Sequence, residues 1–271
     1  DYDVATAGTY LIDDISNGTS APDPNVLDVI YTDLVWSDEF SSAGAIDENK
    51  WFHQTKIPSG GSWYNNEVQH YTNRTQNSYV EDGNLFIKAI KESFTDQGHT
   101  KQYTSARLNS KYAFTYGRVD VKAKLPLGSG TWPAIWTLGR NINEDGGFWS
   151  TQFGETNWPA CGEIDIMEQT GANKDNTLGT LHWYNNTASA NASYGESTAV
   201  ANASSDFHLY TVEWSDNSIK IYLDDVSFFQ MANNSTLPFN ADFFMILNIA
   251  MGGTLGGDID PSFTEDTMEI D

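Results

Sequence analysis

The segment Gly162–Gln169 (GEIDIMEQ) places three carboxylic acids close together, Glu163, Asp165 and Glu168. Side chains of a β-strand alternate between its two faces, so Glu163 and Asp165 share one face. Plain alternation would bury Glu168, and a lone buried carboxylate is costly. A β-bulge at Ile166–Met167 removes the conflict, because one extra residue returns Glu168 to the face of the other two acids. The pattern predicts three carboxyls on one open surface.

Three carboxyls held this close cannot all ionise freely, so the pKa of at least one of them rises. Hydrolysis of a glycosidic bond uses such a set: one carboxylate attacks the anomeric carbon, and a second carboxyl stays protonated to donate to the leaving oxygen. Retaining enzymes hold the pair about 5–5.5 Å apart and inverting enzymes about 6.5–9.5 Å apart. Two long glutamates converging over a short aspartate favour the closer spacing. The residues alone also allow a solvated strand edge or a cation site.

The composition limits the partners of this site. The 271 residues include 37 acidic and 14 basic side chains, which gives a formal net charge of −23. Such a charge repels phosphate and anionic lipid, so we expect no nucleic acid and no membrane as partners. No apolar run of roughly 18 residues, the length that spans a bilayer, occurs in the sequence. The single cysteine, Cys161, excludes an intrachain disulfide and a Cys-based zinc site.

The elements that must position the acids are predicted to be strands. After Ile30, turn residues such as Asp82-Gly83-Asn84 interrupt the chain every eight to twelve positions. The alternating run Gly117–Leu125 (GRVDVKAKL) predicts a half-buried antiparallel strand. The apolar run Phe243–Ala250 (FFMILNIA) predicts a strand covered on both faces. Many short strands with Gly-rich turns predict an all-β fold, a two-sheet antiparallel jelly-roll sandwich.

The first thirty residues differ from the rest because they are acidic and rich in small polar side chains. Asn17–Pro24 (NGTSAPDP) is typical of a linker. Thr9–Ile15 (TYLIDDI) is either the last strand of a preceding domain or a strand that packs on the main domain. We therefore predict a tail or linker over residues 1–30 and a catalytic domain over residues 31–271.

The hexamer EIDIME at positions 163–168 resembles the signature of glycoside hydrolase family 16, whose members share a β-jelly-roll with a concave substrate cleft. The extra Met167 resembles laminarinases, agarases and carrageenases, whereas mixed-linkage lichenases typically lack it. Segments that resemble the laminarinase branch extend from about Val35 to Asp271: Trp36–Phe40 (WSDEF), Trp63–Thr72 (WYNNEVQHYT), Ser105–Leu108 (SARL), Gly128–Leu138 (GSGTWPAIWTL), Thr180–Trp183 (TLHW) and Leu247–Gly253 (LNIAMGG).

This resemblance implies roles for individual residues. Glu163 would be the nucleophile, Glu168 the general acid/base, and Asp165 a hydrogen-bond partner of Glu163, with no cofactor for catalysis. The substrate cleft would be formed by Asn65, Glu67, Arg107, Trp132, Trp136, Trp158 and His182.

The resemblance also implies a structural calcium ion away from the cleft. Its ligands would be Glu39, the Gly83 carbonyl and Asp271, an oxygen-only set that suits calcium. The family's final strand normally begins at the MEID motif, which here ends at Asp271.

Agarases and carrageenases act on galactans, and the galactans that carrageenases cleave are sulfated. A chain with a net charge of −23 is poorly suited to such an anionic polymer. We therefore predict a secreted, monomeric retaining endo-β-1,3-glucanase, with activity on mixed-linkage β-1,3-1,4-glucan left open. The alternatives are a glucan transglycosylase, a non-catalytic β-glucan-binding module on the same fold, and a metal-binding β-domain. The polar connection Arg140–Thr156, just before the carboxylate strand, is expected to build one end of the groove.

Overall fold

The computed structural model describes residues 9–11, 27–29 and 31–271. The chain divides into two compact units, Asp1–Ser37 and Asp38–Asp271. In the first unit, β1 (Thr9–Leu11) and β2 (Leu27–Val29) pair antiparallel. The linker predicted at Asn17–Pro24 lies outside the described residues, as does most of the tail predicted over residues 1–30.

The regular secondary structure of the second unit is almost entirely β-strand. In chain order they are β3 (Trp51–His53), β4 (Gln69–Tyr71), β5 (Ser78–Glu81), β6 (Asn84–Asp96), β7 (His99–Ser105), β8 (Arg107–Phe114), β9 (Gly117–Lys124), β10 (Thr131–Gly139), β11 (Glu163–Glu168), β12 (Asn176–Asn185), β13 (Ala190–Ala199), β14 (His208–Trp214), β15 (Ser218–Leu223), β16 (Val226–Ala232), β17 (Phe243–Met251) and β18 (Glu265–Ile270).

The helical elements of the described residues are short: a 3₁₀ turn at Tyr64–Asn66, α1 (Ser150–Phe153) and α2 (Gly253–Gly256). Neither α1 nor α2, at four residues each, is long enough to cross a membrane.

Two sheets form the sandwich. The cleft sheet has seven strands in the order β13-β12-β11-β10-β17-β8-β3. The outer sheet has nine, in the order β16-β15-β14-β9-β18-β6-β7-β4, with β5 paired to β6. Neighbours in space are often distant in sequence, as in β10 beside β17, and nearly all pairs are antiparallel. The prediction of an all-β, two-sheet antiparallel jelly-roll is confirmed.

The strand patterns predicted from sequence appear in this framework. All nine residues of β17 are buried, because the strand lies in the middle of the cleft sheet. Along β9, Asp120 and Lys122 are exposed while Ala123 is fully buried, as the alternation predicted. The strand that contains the MEID motif is β18, and it lies between β6 and β9.

Trp214 joins the two sheets at the centre of the core. It belongs to β14 of the outer sheet and is 2% exposed. Its ring makes edge contacts with Phe114 and Phe243 of the cleft sheet, with centroids 5.8 and 5.1 Å away. Its indole N–H donates to the Phe239 carbonyl at 2.9 Å, so the one polar atom of the side chain is satisfied.

Candidate active site

The predicted bulge lies in β11. Against β10, Asp165 pairs with Trp136 and Met167 pairs with Ile135, so Ile166 is the extra residue. Against β12, three steps along β11 likewise match only two steps of the partner strand. An extra residue in one strand reverses the alternation beyond it. The bulge predicted at Ile166–Met167 is therefore confirmed.

The bulge brings the three acids to one face. Glu163, Asp165 and Glu168 all line a cleft of about 500 Å³ on the open side of the cleft sheet. Beneath them, Ile164 and Ile166 are 1% and 0% exposed and belong to the core. Glu168 thus lines the cleft, although only 9% of its surface is exposed.

The pKa of each acid is raised. Burial raises the pKa of the Glu163 carboxyl well above its usual range, and the Asp165 charge adds to the shift. Burial and the Glu168 charge likewise raise the pKa of Asp165 well above its usual range. Burial also raises the pKa of Glu168. The cleft therefore holds protons at a pH where exposed carboxyls would be ionised.

Two indole groups donate to the two glutamates. Trp158 Nε1 donates to Glu163 Oε2 at 3.1 Å, and Trp132 Nε1 donates to Glu168 Oε1 at 2.9 Å. Each donor favours the ionised form of its glutamate and so opposes part of the effect of burial. The Trp158 ring is 49% exposed in the cleft, whereas Trp132 is 8% exposed. The indoles therefore both orient the acids and form part of the cleft wall.

Asp165 has different surroundings. It is 3% exposed, and its Oδ2 has no hydrogen-bond partner among the described residues. The hydrogen bond to Glu163 that the resemblance implied is therefore not formed by this atom. His182 Nε2 lies 3.4 Å from Asp165 Oδ2 and 3.8 Å from Glu163 Oε1. The ligating atoms of these three residues all lie within 4.8 Å of one another, a grouping that a metal ion would also accept.

The other predicted cleft residues lie around the acids. The cleft is lined by Asn65, Glu67, Arg107, Trp132, Trp136 and Trp158. The seventh, His182, contacts the acids as described, and its ring centroid lies 5.7 Å from that of Trp158. Asn65 adopts a left-handed conformation in the 3₁₀ turn, with φ of 57°. The predicted set is thus brought together from five separate parts of the chain.

Arg107 is fixed by two tryptophan rings and by Glu144, a residue that the sequence analysis did not name. Its guanidinium group lies 4.9 Å from the Trp136 ring centroid and 5.5 Å from that of Trp63. Arg107 Nη2 donates to both carboxylate oxygens of Glu144, at 3.2 and 3.3 Å, and both side chains are 7% exposed. The pair is therefore a buried ion pair in the wall of the cleft.

The connection Arg140–Thr156 forms part of the cleft wall. Ile142, Asn143 and Glu144 from this connection line it. Trp149 packs against a buried cluster that includes Ile142, and its Nε1 donates to the Ser110 carbonyl at 3.2 Å. The large aromatic side chains of this polar loop thus hold it against the sheet, and the expectation that this segment helps to build the groove is confirmed.

Further cleft residues were not named individually by the sequence analysis: Tyr64, Tyr71, Leu138, Ile142, Asn143, Glu144, Asn157, Asn248, Ala134 and Ala250. Most of the polar members are asparagine or tyrosine, which are common at many surface positions. Tyr71 and Asn248 fall inside segments that the analysis had singled out as resembling the family, and this was the available signal. Cys161 lies just before β11, and burial raises the pKa of its thiol to about 12, so it is not a nucleophile at neutral pH.

Comparison with known proteins agrees with this geometry. The family model described as Glycosyl hydrolases family 16 matches residues 65–271. Glucan endo-1,3-beta-glucosidase A1 of Niallia circulans is 35% identical over 286 residues, which cover 96% of this chain and 39% of that protein. The Beta-glucanase of Rhodothermus marinus is 37% identical, over 89% of this chain and 84% of that protein.

A solved structure is also similar. LamA from Z. galactanivorans, crystallised as a glutamate-to-serine variant in complex with laminaritriose and laminaritetraose, matches with a TM-score of 0.87. It is 52% identical, and the match covers 89% of this chain and 97% of that chain. With the family model spanning the bulged strand, the sandwich and the cleft, the chain belongs to glycosyl hydrolases family 16.

Proposed function

We propose that this glycoside hydrolase is a retaining endo-β-1,3-glucanase that cleaves laminarin-type glucan by double displacement. The observation that carries the proposal is the emergence of Glu163, Asp165 and Glu168 from one bulged strand into a cleft. The relatives named above as glucan endo-1,3-beta-glucosidase and LamA support the choice of substrate.

The first step forms a covalent intermediate. Glu163, as a carboxylate, attacks the anomeric carbon of the sugar in the cleft. The bond between this carbon and the leaving oxygen breaks, and the leaving oxygen takes the bonding electron pair together with the proton of Glu168. The product is an ester between Glu163 and the sugar, and Glu168 is left as a carboxylate.

The second step hydrolyses this ester. Glu168 takes a proton from a water molecule, whose oxygen attacks the anomeric carbon. The ester bond breaks, and its electron pair returns to Glu163. Two inversions at one carbon retain the β configuration, and Glu168 ends the cycle protonated.

The surroundings of the acids support this division of roles. Glu163 must be ionised to attack, and both the Trp158 indole N–H and the nearby His182 favour its carboxylate form. Burial and the Glu168 charge raise the pKa of Asp165 well above its usual range. We infer that Asp165 holds a proton beside Glu163 and so lowers the repulsion that the nucleophile experiences. We propose that the protons of the free enzyme lie on Asp165 and Glu168.

The cleft suits a neutral polymer. Its exposed Trp158 ring offers a flat surface to the apolar C–H face of a sugar, while acidic and amide side chains can bond to hydroxyl groups. The net charge of −23 disfavours sulfated or carboxylated polysaccharides. We propose that cleavage occurs within the chain, because both ends of a polymer can extend beyond a surface cleft.

The test is a digest of laminarin, lichenan, curdlan and agarose by the wild type and by Glu163→Ser, with sizing of the products. The proposal expects release of short oligosaccharides from laminarin by the wild type and none by the variant. Products longer than the substrate would instead indicate a transglycosylase. Absence of any cleavage by the wild type would contradict the proposal and leave a glucan-binding module.

We propose that a calcium ion binds on the side of the outer sheet and stabilises the fold without taking part in catalysis. Its ligands would be Glu39, the Gly83 carbonyl and Asp271. The oxygen donors fit calcium, and Gly83 occupies a turn with φ of 83°. The Asp271 carboxylate, however, already forms an ion pair with Lys122, which calcium would have to displace. Calorimetry tests this: calcium should raise the Tm of the wild type but not of Glu39→Ala, and an unchanged wild-type Tm would contradict it.

We also propose that the protein acts outside the cell, since a polymeric glucan cannot enter a cell to be cut. We propose further that it acts as a monomer. Size-exclusion chromatography with light scattering should give the mass of one chain. Fractionation of the producing cells should place the activity in the medium.

A further inference from the structure

A hydrogen-bond chain in the floor of the cleft takes no part in the two displacement steps. Trp136 Nε1 donates to Asn248 Oδ1 at 2.7 Å. Asn248 Nδ2 donates to the Tyr71 hydroxyl at 3.1 Å, and this hydroxyl donates to Glu67 Oε2 at 3.2 Å. We call these four residues the cleft-floor chain. All four line the cleft, and Tyr71 and Asn248 are only 2% and 6% exposed.

The direction of every bond in the cleft-floor chain is fixed by its first member. An indole N–H only donates, so the oxygen of the Asn248 amide must face Trp136. The amide nitrogen therefore faces Tyr71, whose hydroxyl receives this bond and directs its own proton to Glu67. Reversing the amide would place two donors against each other and leave buried groups unpaired, which is costly.

A second fixed donor reaches the same oxygen of Glu67. The backbone N–H of Met251 donates to Gln69 Oε1 at 2.8 Å, which forces Gln69 Nε2 toward Glu67. Gln69 Nε2 donates to Glu67 Oε2 at 2.7 Å. Burial raises the pKa of Glu67, and the bonds from Gln69 and Tyr71 oppose this rise. Because Oε2 takes both donors, Oε1 remains available to accept a bond from a ligand in the cleft.

The Trp136 ring is held from another direction as well. The Arg107 guanidinium covers it at 4.9 Å from the ring centroid, so protein occupies that side of the indole. The bond to Asn248 fixes the rotation of the ring about its own axis. The exposed part of the Trp136 ring therefore faces the cleft in one orientation.

We propose that Tyr71 and Asn248 are positioning residues that hold the Trp136 ring and the Glu67 carboxylate in one fixed relation, so that a glucose unit packed on Trp136 meets Glu67 with a hydroxyl group. The inference rests on the proposed β-glucanase function and adds to it a determinant of affinity. Neither residue touches the reacting atoms. Their effect is preorganisation, which lowers the ordering cost of binding and leaves the chemical step unchanged.

The experiment compares Tyr71→Phe, Asn248→Ala and the double variant. Steady-state kinetics on laminarin give KM and kcat. Calorimetric titration of laminaritetraose onto the same substitutions in a Glu163→Ser background gives Kd without turnover. Each single substitution should raise KM and Kd about five- to tenfold, the effect of one lost hydrogen bond, with kcat within about twofold of the wild type. The double variant should be little worse than Asn248→Ala, because both changes interrupt one chain.

The pH profile supplies a readout that a purely structural role would not change. In Tyr71→Phe, Glu67 loses a donor that lowers its pKa, so it takes up a proton at higher pH. The acid limb of kcat/KM should therefore move to higher pH. Tyr210→Phe is the control for removal of a buried hydroxyl outside the cleft-floor chain. Tyr210 is a fully buried tyrosine of β14 in the outer sheet, its hydroxyl has no hydrogen-bond partner among the described residues, and its variant should keep the KM, Kd and pH profile of the wild type.

Loss of thermal stability in Tyr71→Phe and Asn248→Ala with unchanged KM, Kd and acid limb would overturn the inference, since both residues would then only support the fold. Tyr71→Phe keeps the ring that packs against Trp63 at 4.7 Å, so this variant is expected to fold. A wild type that cleaves no β-glucan would instead contradict the proposed function. That outcome is distinct from an active enzyme whose KM is the same with and without the Tyr71 hydroxyl.

Discussion

The indole N–H of Trp132 donates to Glu168 Oε1 at 2.9 Å, from β10 across to the adjacent strand β11. The bond favours the ionised form of the proposed proton donor, whereas burial favours the protonated form and raises its pKa. The balance between the two sets the pH at which the proton donor is lost. Several residues of the cleft adjust the acids in this way without reacting themselves.

Trp132→Phe should move the alkaline limb of kcat/KM to higher pH. The acid must be protonated, so activity falls as the pH rises through the pKa of Glu168, and removal of the N–H donor raises this pKa further. We expect kcat/KM at its optimum to fall about tenfold, the cost of one hydrogen bond to a charged group. The measurement is a pH–rate profile on laminarin, and an alkaline limb at the wild-type position would contradict the role of this bond.

Glu163→Ser and Glu168→Ala should both lower kcat on laminarin by about 10³-fold or more. They should differ on an aryl β-laminarioside with a dinitrophenolate leaving group, which departs without a proton. Glu168→Ala should form the covalent intermediate from this substrate and release a burst of dinitrophenol, whereas Glu163→Ser should release none. Equal losses in Glu168→Ala on both substrates would argue against Glu168 as the proton donor.

Asp165→Asn should stabilise the protein increasingly as the pH rises. The pKa of Asp165 is higher in the folded than in the unfolded chain, so the folded state holds the proton more tightly. Its contribution to stability is complete below the unfolded pKa of about 4 and is lost as the pH rises toward the folded pKa. The free energy of unfolding of Asp165→Asn should therefore exceed that of the wild type by an amount that grows by about 1.4 kcal/mol for each pH unit between the unfolded and the folded pKa.

Urea unfolding of the wild type and Asp165→Asn at pH 4, 6 and 8 measures this difference, and catalytic activity should fall in the same variant. Asp206→Asn, at an exposed position, serves as the control for removal of one negative charge. A difference that stays constant with pH would refute the assignment of a held proton to Asp165.

Glu144→Gln should destabilise the fold and weaken substrate binding together. It leaves the Arg107 guanidinium buried without its counter-charge, at a cost of about 3–5 kcal/mol. The neighbouring residue gives a matched control, because Asp145 pairs with Lys56 at an exposed position, and Asp145→Asn should cost less than about 1 kcal/mol. Denaturant unfolding and KM on laminarin provide the two readouts, and similar effects of the two substitutions would contradict a special role for the buried pair.

Activity should persist after exhaustive treatment with a chelator. Glu163, Asp165 and His182 present ligating atoms close enough to hold a metal ion, yet the displacement mechanism uses the two carboxyls as nucleophile and proton donor. The assay is laminarin hydrolysis after dialysis against EDTA, with metal content measured in parallel. Loss of activity in a protein that stays folded, restored by an added divalent cation, would favour the metal-binding alternative.

The placement of the three acids could be predicted from the sequence because it depends on local rules. Side chains alternate along a strand, a buried lone carboxylate is unfavourable, and one extra residue reverses the alternation, so GEIDIMEQ by itself indicates a bulge beside Met167. The strands were equally local in origin, as the buried run of β17 illustrates. Resemblance to a family then supplied the cleft residues by position.

Only the tertiary structure decided how these residues are held. Asn248 and Tyr71 are 177 positions apart, and Arg107 and Glu144 are 37 apart, so no local pattern links them. Asp165 shows the same limit, because the sequence does not indicate that its Oδ2 lies 3.4 Å from His182 Nε2 and has no hydrogen-bond partner among the described residues. Alternation fixes which face a side chain occupies, but hydrogen-bond partners depend on which strands the fold brings side by side, and that is set by packing of the whole sandwich.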